Sequence, residues 1–311
     1  MSTPFDPADS ITNSTASAFI PELWSDEIVA TYKRSLVAAN VFKKMSWKGK
    51  KGDTVNIPVP TRGDAHAKVS EAMVTLNSNS SSLIPVLIDQ HWEYSNLIED
   101  ITEIQSLASM RRFYTDDAGY ALSKQVDSSL IQLGRGFNGG NIANSAYAGA
   151  YSGADGTTAY NAGANTGVGA LTDAAIRRTI QRLDDNDVPQ DGRFLLIPPS
   201  ARNTMMGLAR YTEQAFVGEV GNSNTIRNGE IGNVYGIPVF VTSNADTTSG
   251  STPTRIALLG HKDSAVLVEQ SGIRSQTQYK QEYLATLYTA DTLYGVKELR
   301  DASCFALAVP A

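Results

Sequence analysis

The chain has one cysteine, three histidines and a charged fraction of only 19% with a formal net charge of -6. It also has no apolar run near the roughly 18 residues that a membrane span needs. Each shortage excludes something. Cys304 has no partner for a disulfide within the chain, which suits a reducing, cytosolic birthplace; in the apolar run Cys304 to Val309 it reads as a small buried hydrophobe. His66, His91 and His261 have no histidine at i+4 and no cysteine beside them, so no metal site is expected. A deficit of Lys and Arg argues against a dedicated DNA reader, because neutralising phosphates needs a basic surplus on one face. The opening MSTPFDPADSITNSTASAF lacks a basic segment followed by an apolar one, so no secretion signal is expected. The Asn-x-Ser/Thr matches at Asn13 and Asn79 are then chance occurrences.

Catalytic motifs are equally scarce. There is no G-x-S-x-G elbow and no G-x-x-x-x-G-K-[ST] loop. Gly134, Gly136 and Gly139 match G-x-G-x-x-G, yet they follow a helical pattern, whereas dinucleotide binding needs a strand before the motif and a helix after it. The acidic turn 184 to 191 lacks the glycine and late glutamate of a calcium loop, and Glu99 with Asp100 is explained by helix capping. No catalytic, cofactor or metal residues are assigned.

The composition, 41% hydrophobic over 311 residues, supports a folded chain long enough for one large or two modest cores. The first 20 residues are Ser/Thr/Pro-rich and read as an arm. Leu23, Trp24, Ile28, Tyr32 and Leu36 then keep helical spacing from Pro21. A long helix is expected over 100 to 133, with Ile104, Leu107, Phe113, Ala118, Leu122, Val126, Leu130 and Leu133 on one face and Gly134 ending it. Residues 136 to 170, rich in Gly, Ala and Asn with scattered Tyr147, Tyr151 and Tyr160, read as a surface insertion that contributes no core. A helix from Thr172, a buried strand at 194 to 199 and a short helix from Ser200 argue a mixed α/β core. Strands separated by Gly turns fill the rest, including 229 to 240, two short strands at 257 to 268, and 293 to 299.

Between the first helix and the long one lies the most telling stretch. Val55, Ile57 and Val59 alternate with polar residues, and Ile84, Val86, Ile88, Trp92 and Tyr94 do the same, as the two stems of a hairpin would. Half of a 48-residue arm reaches up to ~75 Å fully extended, against a diameter near ~50 Å for a compact globule of this size. Its tip, 61 to 83, is read as polar, so the hairpin protrudes and presents strand edges that neighbouring chains would cover. The candidate contact residues are Trp47, Lys48, Lys50, Lys51, Arg62, Asp64, Lys68 and Glu71. Lys43 and Lys44 extend the basic cluster at the root, which reads first as a solvated turn and second as partners for acids on a neighbour or a weak contact to nucleic acid.

Taken in order, IPELWSDEI at 20 to 28, KGDTVNIPVP at 51 to 60, the long helix, FLLIPP at 194 to 199, GEIGNVYGIPVF at 229 to 240 and LYGVKEL at 293 to 299 resemble the major capsid proteins of tailed bacteriophages with the Hong Kong 97-type fold. The resemblance implies an α+β fold with an N-terminal arm (1-20), a peripheral domain with a spine helix (21-46 and 96-135), an extended E-loop hairpin (47-95), the insertion (136-170), a mixed α/β axial domain (171-270) and return strands (271-311), the last of them able to rejoin the axial domain. It implies hexamers and pentamers of the chain in an icosahedral virion shell around double-stranded DNA, made in the host cytoplasm. The implied partners are other copies of the chain, a portal protein, a separate scaffold or none, a decoration or cement protein, and packaged DNA held by weak non-specific contact, with no membrane. Some relatives join subunits by a Lys to Asn bond; Lys68 lies in the corresponding loop, but no motif identifies its Asn, so non-covalent assembly is expected. Two other readings stay open: the shell of a cellular nanocompartment with the same fold, and a soluble α/β enzyme.

Overall fold

The structure, a computed structural model, describes residues 37–48, 51–60, 63, 65–71, 73–74, 76–77, 81–101, 110–164, 166–208 and 232–311. The N-terminal arm, the helix from Pro21, the start of the long helix at 102–109, and Lys50, Arg62 and Asp64 lie outside the described residues.

Three sheets organise the described chain. A four-stranded sheet has the order β1 (Lys43–Ser46), β10 (Ala265–Lys280), β11 (Ala285–Glu298), β4 (Gln90–Glu99). A six-stranded sheet runs β5 (Tyr151–Ser152), β12 (Cys304–Pro310), β9 (Thr254–His261), β6 (Arg193–Ile197), β8 (Ile237–Val241), β7 (Asn233–Val234). The third is a two-stranded hairpin of β2 (Thr54–Pro60) and β3 (Ser81–Leu87).

The strand pairings correct the expected hairpin. Its second stem ends at Leu87, and Trp92 and Tyr94 belong to β4, which pairs antiparallel with β11 from Gln90↔Tyr294 to Glu99↔Ala285. Alternation alone could not show this, because it continues across Ile88 and Asp89 while the chain changes sheets. Likewise the second strand expected within 257 to 268 is the root of the 16-residue β10, whose outer half is exposed.

Helices pack against these sheets through a few buried residues each. After the short turn of helix α1 (Ala38–Val41), helix α2 (Met110–Gln132) places Ala118 and Leu122 on Tyr288 and Ala290 of β11, and Leu130 and Ile131 in the main core. It runs unbroken through Gly119, whose missing side chain would meet nothing within 4 Å, and closes in a 3-10 turn at Leu133–Arg135. Helix α3 (Asp173–Asp185) starts where the Thr172 side chain accepts the Ala175 N–H, and it buries Ile176, Thr179 and Leu183. Helix α4 (Pro199–Met206) follows β6 directly, with proline in its first turn, where a missing N–H costs nothing.

Residues 136 to 170 overturn the expectation of an insertion without core. Phe137, Tyr147, Ala150 and Tyr160 are buried in the main cluster with Phe194, Leu258 and Ala306, and Tyr151–Ser152 pairs with β12. The segment folds without regular structure because its polar side chains close local turns. Asn141, Asn144, Asp155 and Asn161 each accept the backbone N–H two residues on, while the aromatic rings supply the apolar anchors. Cys304 is fully buried, and burial pushes its thiol up.

Candidate assembly surfaces

The hairpin β2–β3 is clamped at its root and open beyond it. Val55 and Val86 pack with Ile88, Val266 and Val268, and Met45, Trp47, Ile57, Leu293 and Leu299 close around them. The Ile88 N–H donates to the Asp53 carbonyl at 2.8 Å, and Gln270 Nε2 donates to the Gly52 carbonyl at 3.1 Å. Gly295 of β11 lets the strand pass: a β-carbon there would sit 2.2 Å from the Leu87 carbonyl oxygen.

Away from the root, the tip that is expected to be polar carries exposed apolar residues. Met73 is 95% and Leu76 86% exposed, with Val69 and Val74 also in solvent. Arg62, Asp64, His66, Lys68, Glu71 and the Ser/Asn tract dominate the composition of this stretch and mask the four apolar residues. On the outer face of the stems Leu83 and Leu87 are exposed as well. A second exposed apolar group lies at the far end of the four-stranded sheet, with Ile101, Tyr279, Tyr283 and Leu284. There the Tyr279 hydroxyl donates to Asp100 at 2.9 Å.

The candidate contact residues are not gathered in one place. Trp47 is half-buried in the root cluster and its backbone N–H donates to the Glu269 carbonyl at 2.8 Å. Lys48 and Lys51 are exposed beside the root. Lys68 and Glu71 are exposed in the tip, Glu71 with a positive φ of 65°. Of the remaining basic cluster, Lys44 pairs with Glu269 at 2.7 Å and Lys43 with Asp263 at 3.7 Å, so these two are satisfied within their own chain.

Behind the surface, two buried polar networks fix the long helix. Asp127 accepts the Ala38 N–H at 2.7 Å and the Asn244 amide at 3.1 Å, and burial raises its carboxyl despite these bonds. Arg135 makes a two-pronged bond to Asp246, from Nε at 2.7 Å and Nη2 at 3.1 Å, and the Tyr147 hydroxyl donates to the same carboxylate at 2.7 Å. The bond to Asp246 raises the Arg135 guanidinium, and burial holds the Tyr147 phenol well above its ordinary range.

A cavity of about 310 Å³ opens between hairpin and helix end, lined by Pro85, Leu87, Ser129, Leu133, Ile142 and Val296 among others. Asp89, Gln90, Gln132 and Lys297 supply its polar lining. Among the described residues, no three His, Cys, Asp or Glu side chains are grouped to hold a metal ion, and no helix is long and apolar enough to cross a membrane.

The family model of the phage capsid protein family matches residues 110–297, which is more than half of the chain. The fold is similar to that of a solved chain from Mycobacterium phage Che8, with a TM-score of 0.72 and 22% identity over 93% of this chain and 97% of that one. It is similar to the capsid structure of the cyanophage P-SCSP1u, with a TM-score of 0.74 and 15% identity over 99% of both chains. It is also similar to the mature capsid of bacteriophage PhiM1, with a TM-score of 0.71 and 13% identity over 99% of both. At these identities the likeness to solved structures is one of fold. No curated protein matches the sequence.

Proposed function

We propose that this chain, which belongs to the phage capsid protein family, is the major shell subunit of a tailed-phage head, with a structural and non-enzymatic role in the virion. Copies of the chain would form hexamers and pentamers that close around double-stranded DNA after synthesis in the host cytoplasm. A portal protein, a scaffold and a decoration protein are the further partners this reading brings, and Trp47, Lys48, Lys50, Lys51, Arg62, Asp64, Lys68 and Glu71 remain its candidate interface residues.

One observation carries the reading beyond family membership: a hairpin clamped at its root carries Met73 and Leu76 almost fully in water at its tip. A lone subunit gains nothing from this exposure. Repeated contacts between identical subunits remove it, and head-to-tail contacts that close into rings need no single strong interface.

Negative-stain microscopy with light scattering on the protein expressed alone tests the reading. Shells, tubes or capsomer rings are the expected result, and deleting residues 61 to 83 should leave a folded subunit that no longer closes them. Normal particles from that deletion would overturn the role given to the hairpin. DNA-free particles filled with one cellular enzyme would overturn the phage-head reading.

A further inference from the structure

We infer that His261 is a proton-operated latch at the joint between the two large sheets: in acid it releases the Asp263 backbone amide and draws the Asp263 carboxylate from Lys43 to its own ring. The inference concerns the folded subunit and does not rest on the shell-subunit reading.

The chain passes from the six-stranded to the four-stranded sheet through the 3-10 turn Lys262–Ser264, between β9 and β10, and returns at 299–303, between β11 and β12. The two crossings are bonded together: the Ser264 carbonyl accepts the Leu299 N–H at 2.7 Å and the Arg300 N–H at 3.2 Å. So short a turn has little of its own to hold it, because 3-10 hydrogen bonds are poorly aligned. Its cap comes from His261, the last residue of β9, whose Nδ1 accepts the Asp263 N–H at 3.1 Å. A backbone amide can only donate, so Nδ1 carries no proton. The ring hydrogen then sits on Nε2, which donates to the Asp191 carbonyl at 2.7 Å. Both nitrogens are committed, and the side chain is only 8% exposed. Gly192, at a φ of +83°, leaves the ring its space: a β-carbon there would stand 3.2 Å from Nε2.

A proton taken from solvent onto Nδ1 turns this acceptor into a donor, and the Asp263 N–H then faces another N–H. The new donor has a carboxylate at hand, since Asp263 Oδ2 lies 3.8 Å from Nδ1. With the ring neutral, Oδ1 of the same carboxylate is 3.7 Å from Lys43 Nζ, in a pair whose side chains are 49% and 39% exposed. An exposed pair of this kind contributes little and is readily exchanged. One carboxylate thus stands between two cation sites, Lys43 on β1 of the four-stranded sheet and His261 on β9 of the six-stranded sheet, and protonation decides which of them it serves. The other charges around the ring do not compete for Nδ1. Arg193, opposite His261 in the β6–β9 register, is held by Asp184 at 2.6 Å, and Lys262 meets the Gly192 carbonyl through its backbone N–H at 3.0 Å. Asp187 and Arg300 line a cavity of about 200 Å³ that also reaches His261 and gives the turn room to move.

Nitrogen-15 spectra of the full chain, which has only three histidines, test this together with amide hydrogen exchange. At about pH 8 the His261 ring should carry its proton on Nε2, and it should become doubly protonated as pH is lowered from about 8 to 5. Over the same range, exchange of the amides at 262–264 and 299–300, corrected for the intrinsic rate, should accelerate about tenfold or more. H261N offers a side-chain oxygen that accepts the same N–H without titrating, so its protection should stay constant. D263N keeps the backbone amide but lacks the carboxylate, and its transition should move to lower pH. K43M removes the competing cation and should move the transition to higher pH. A proton on Nδ1 at about pH 8, or wild-type protection that does not change with pH, overturns the latch. The wild-type transition persisting in H261N overturns its assignment to His261. Transitions of D263N and K43M that coincide with that of wild type overturn the carboxylate exchange. Particle formation enters none of these readouts, so failure of the shell-subunit reading leaves the latch standing, and failure of the latch leaves that reading standing.

Discussion

Asp127, inside the long helix, accepts the backbone N–H of Ala38 at 2.7 Å, 89 residues earlier in the chain. The residue before the short helix, Val37, offers no side-chain cap, so a carboxylate from a distant helix satisfies its first amides. The same carboxylate holds Asn244, which also bonds Ser128 at 2.9 Å. One side chain thus ties the short helix α1, the long helix α2 and the turn after β8 together.

Asp127→Ala should cost at least about 2 kcal/mol in denaturant unfolding, since it strands several buried donors. Burial raises the Asp127 carboxyl above the ordinary carboxylate value of 3.8. A folded-state value above the unfolded one favours the folded state in acid, and that contribution is lost as pH rises through the folded value. Wild type should therefore gain stability relative to Asp127→Asn as pH is lowered through the raised value toward 3.8. A stability difference that does not change over that window would contradict the assignment.

Gly295→Ala should loosen the hairpin root, because the new β-carbon meets backbone on two sides: the Leu87 carbonyl oxygen at 2.2 Å and the Ile88 α-carbon at 3.1 Å. Neither is the end of a flexible side chain. A loss of about 1–3 kcal/mol is expected, together with faster proteolysis of the hairpin. Unchanged protease resistance would show that the strand can pass β11 without the glycine.

Tyr147 decides whether residues 136 to 170 are core. Tyr147→Phe removes a hydroxyl bonded to Asp246 and leaves the Arg135 pair in place, so about 1–2 kcal/mol should be lost. Tyr147→Ala should cost about 3–5 kcal/mol, as for other buried aromatic rings. Excision of the segment should abolish cooperative unfolding, the opposite of what its composition suggests.

That segment marks the limit of what the sequence discloses. Period-2 and period-3.6 patterns were enough to locate the buried strand Arg193–Ile197, the helix from Asp173 and the first hairpin stem. They fail where structure is held by contacts distant in sequence. Phe137, Tyr147 and Tyr160 have no period, yet each finds the same core. The alternation through Ile88, Trp92 and Tyr94 is continuous although the chain leaves one sheet for another between them. At the surface, lysines and acids drew attention to the root and tip, while Leu83 and Leu87 sat on the face that alternation itself assigns to solvent. Reading the polar face of a strand for apolar residues would have found them.

Asp291 offers a pH response of the opposite sign to Asp127. It accepts from Arg274 Nε at 2.7 Å and contacts His91 at 3.1 Å, linking β10, β11 and β4 across the exposed half of the four-stranded sheet. The Arg274 bond, helped by His91, holds its carboxyl below the ordinary carboxylate value of 3.8. A depressed folded-state value contributes stability that is complete above the unfolded value and disappears as pH falls through the folded one. Wild type should thus lose stability relative to Asp291→Asn below 3.8, the reverse of the trend at Asp127. Because Arg274 is exposed, screening keeps the effect small, and raising salt from about 0.1 to 1 M should shrink it further. Thermal melts of both variants across the same acid range separate the two carboxylates. Parallel trends in both would show that a change of net charge, and not these particular contacts, governs the acid response.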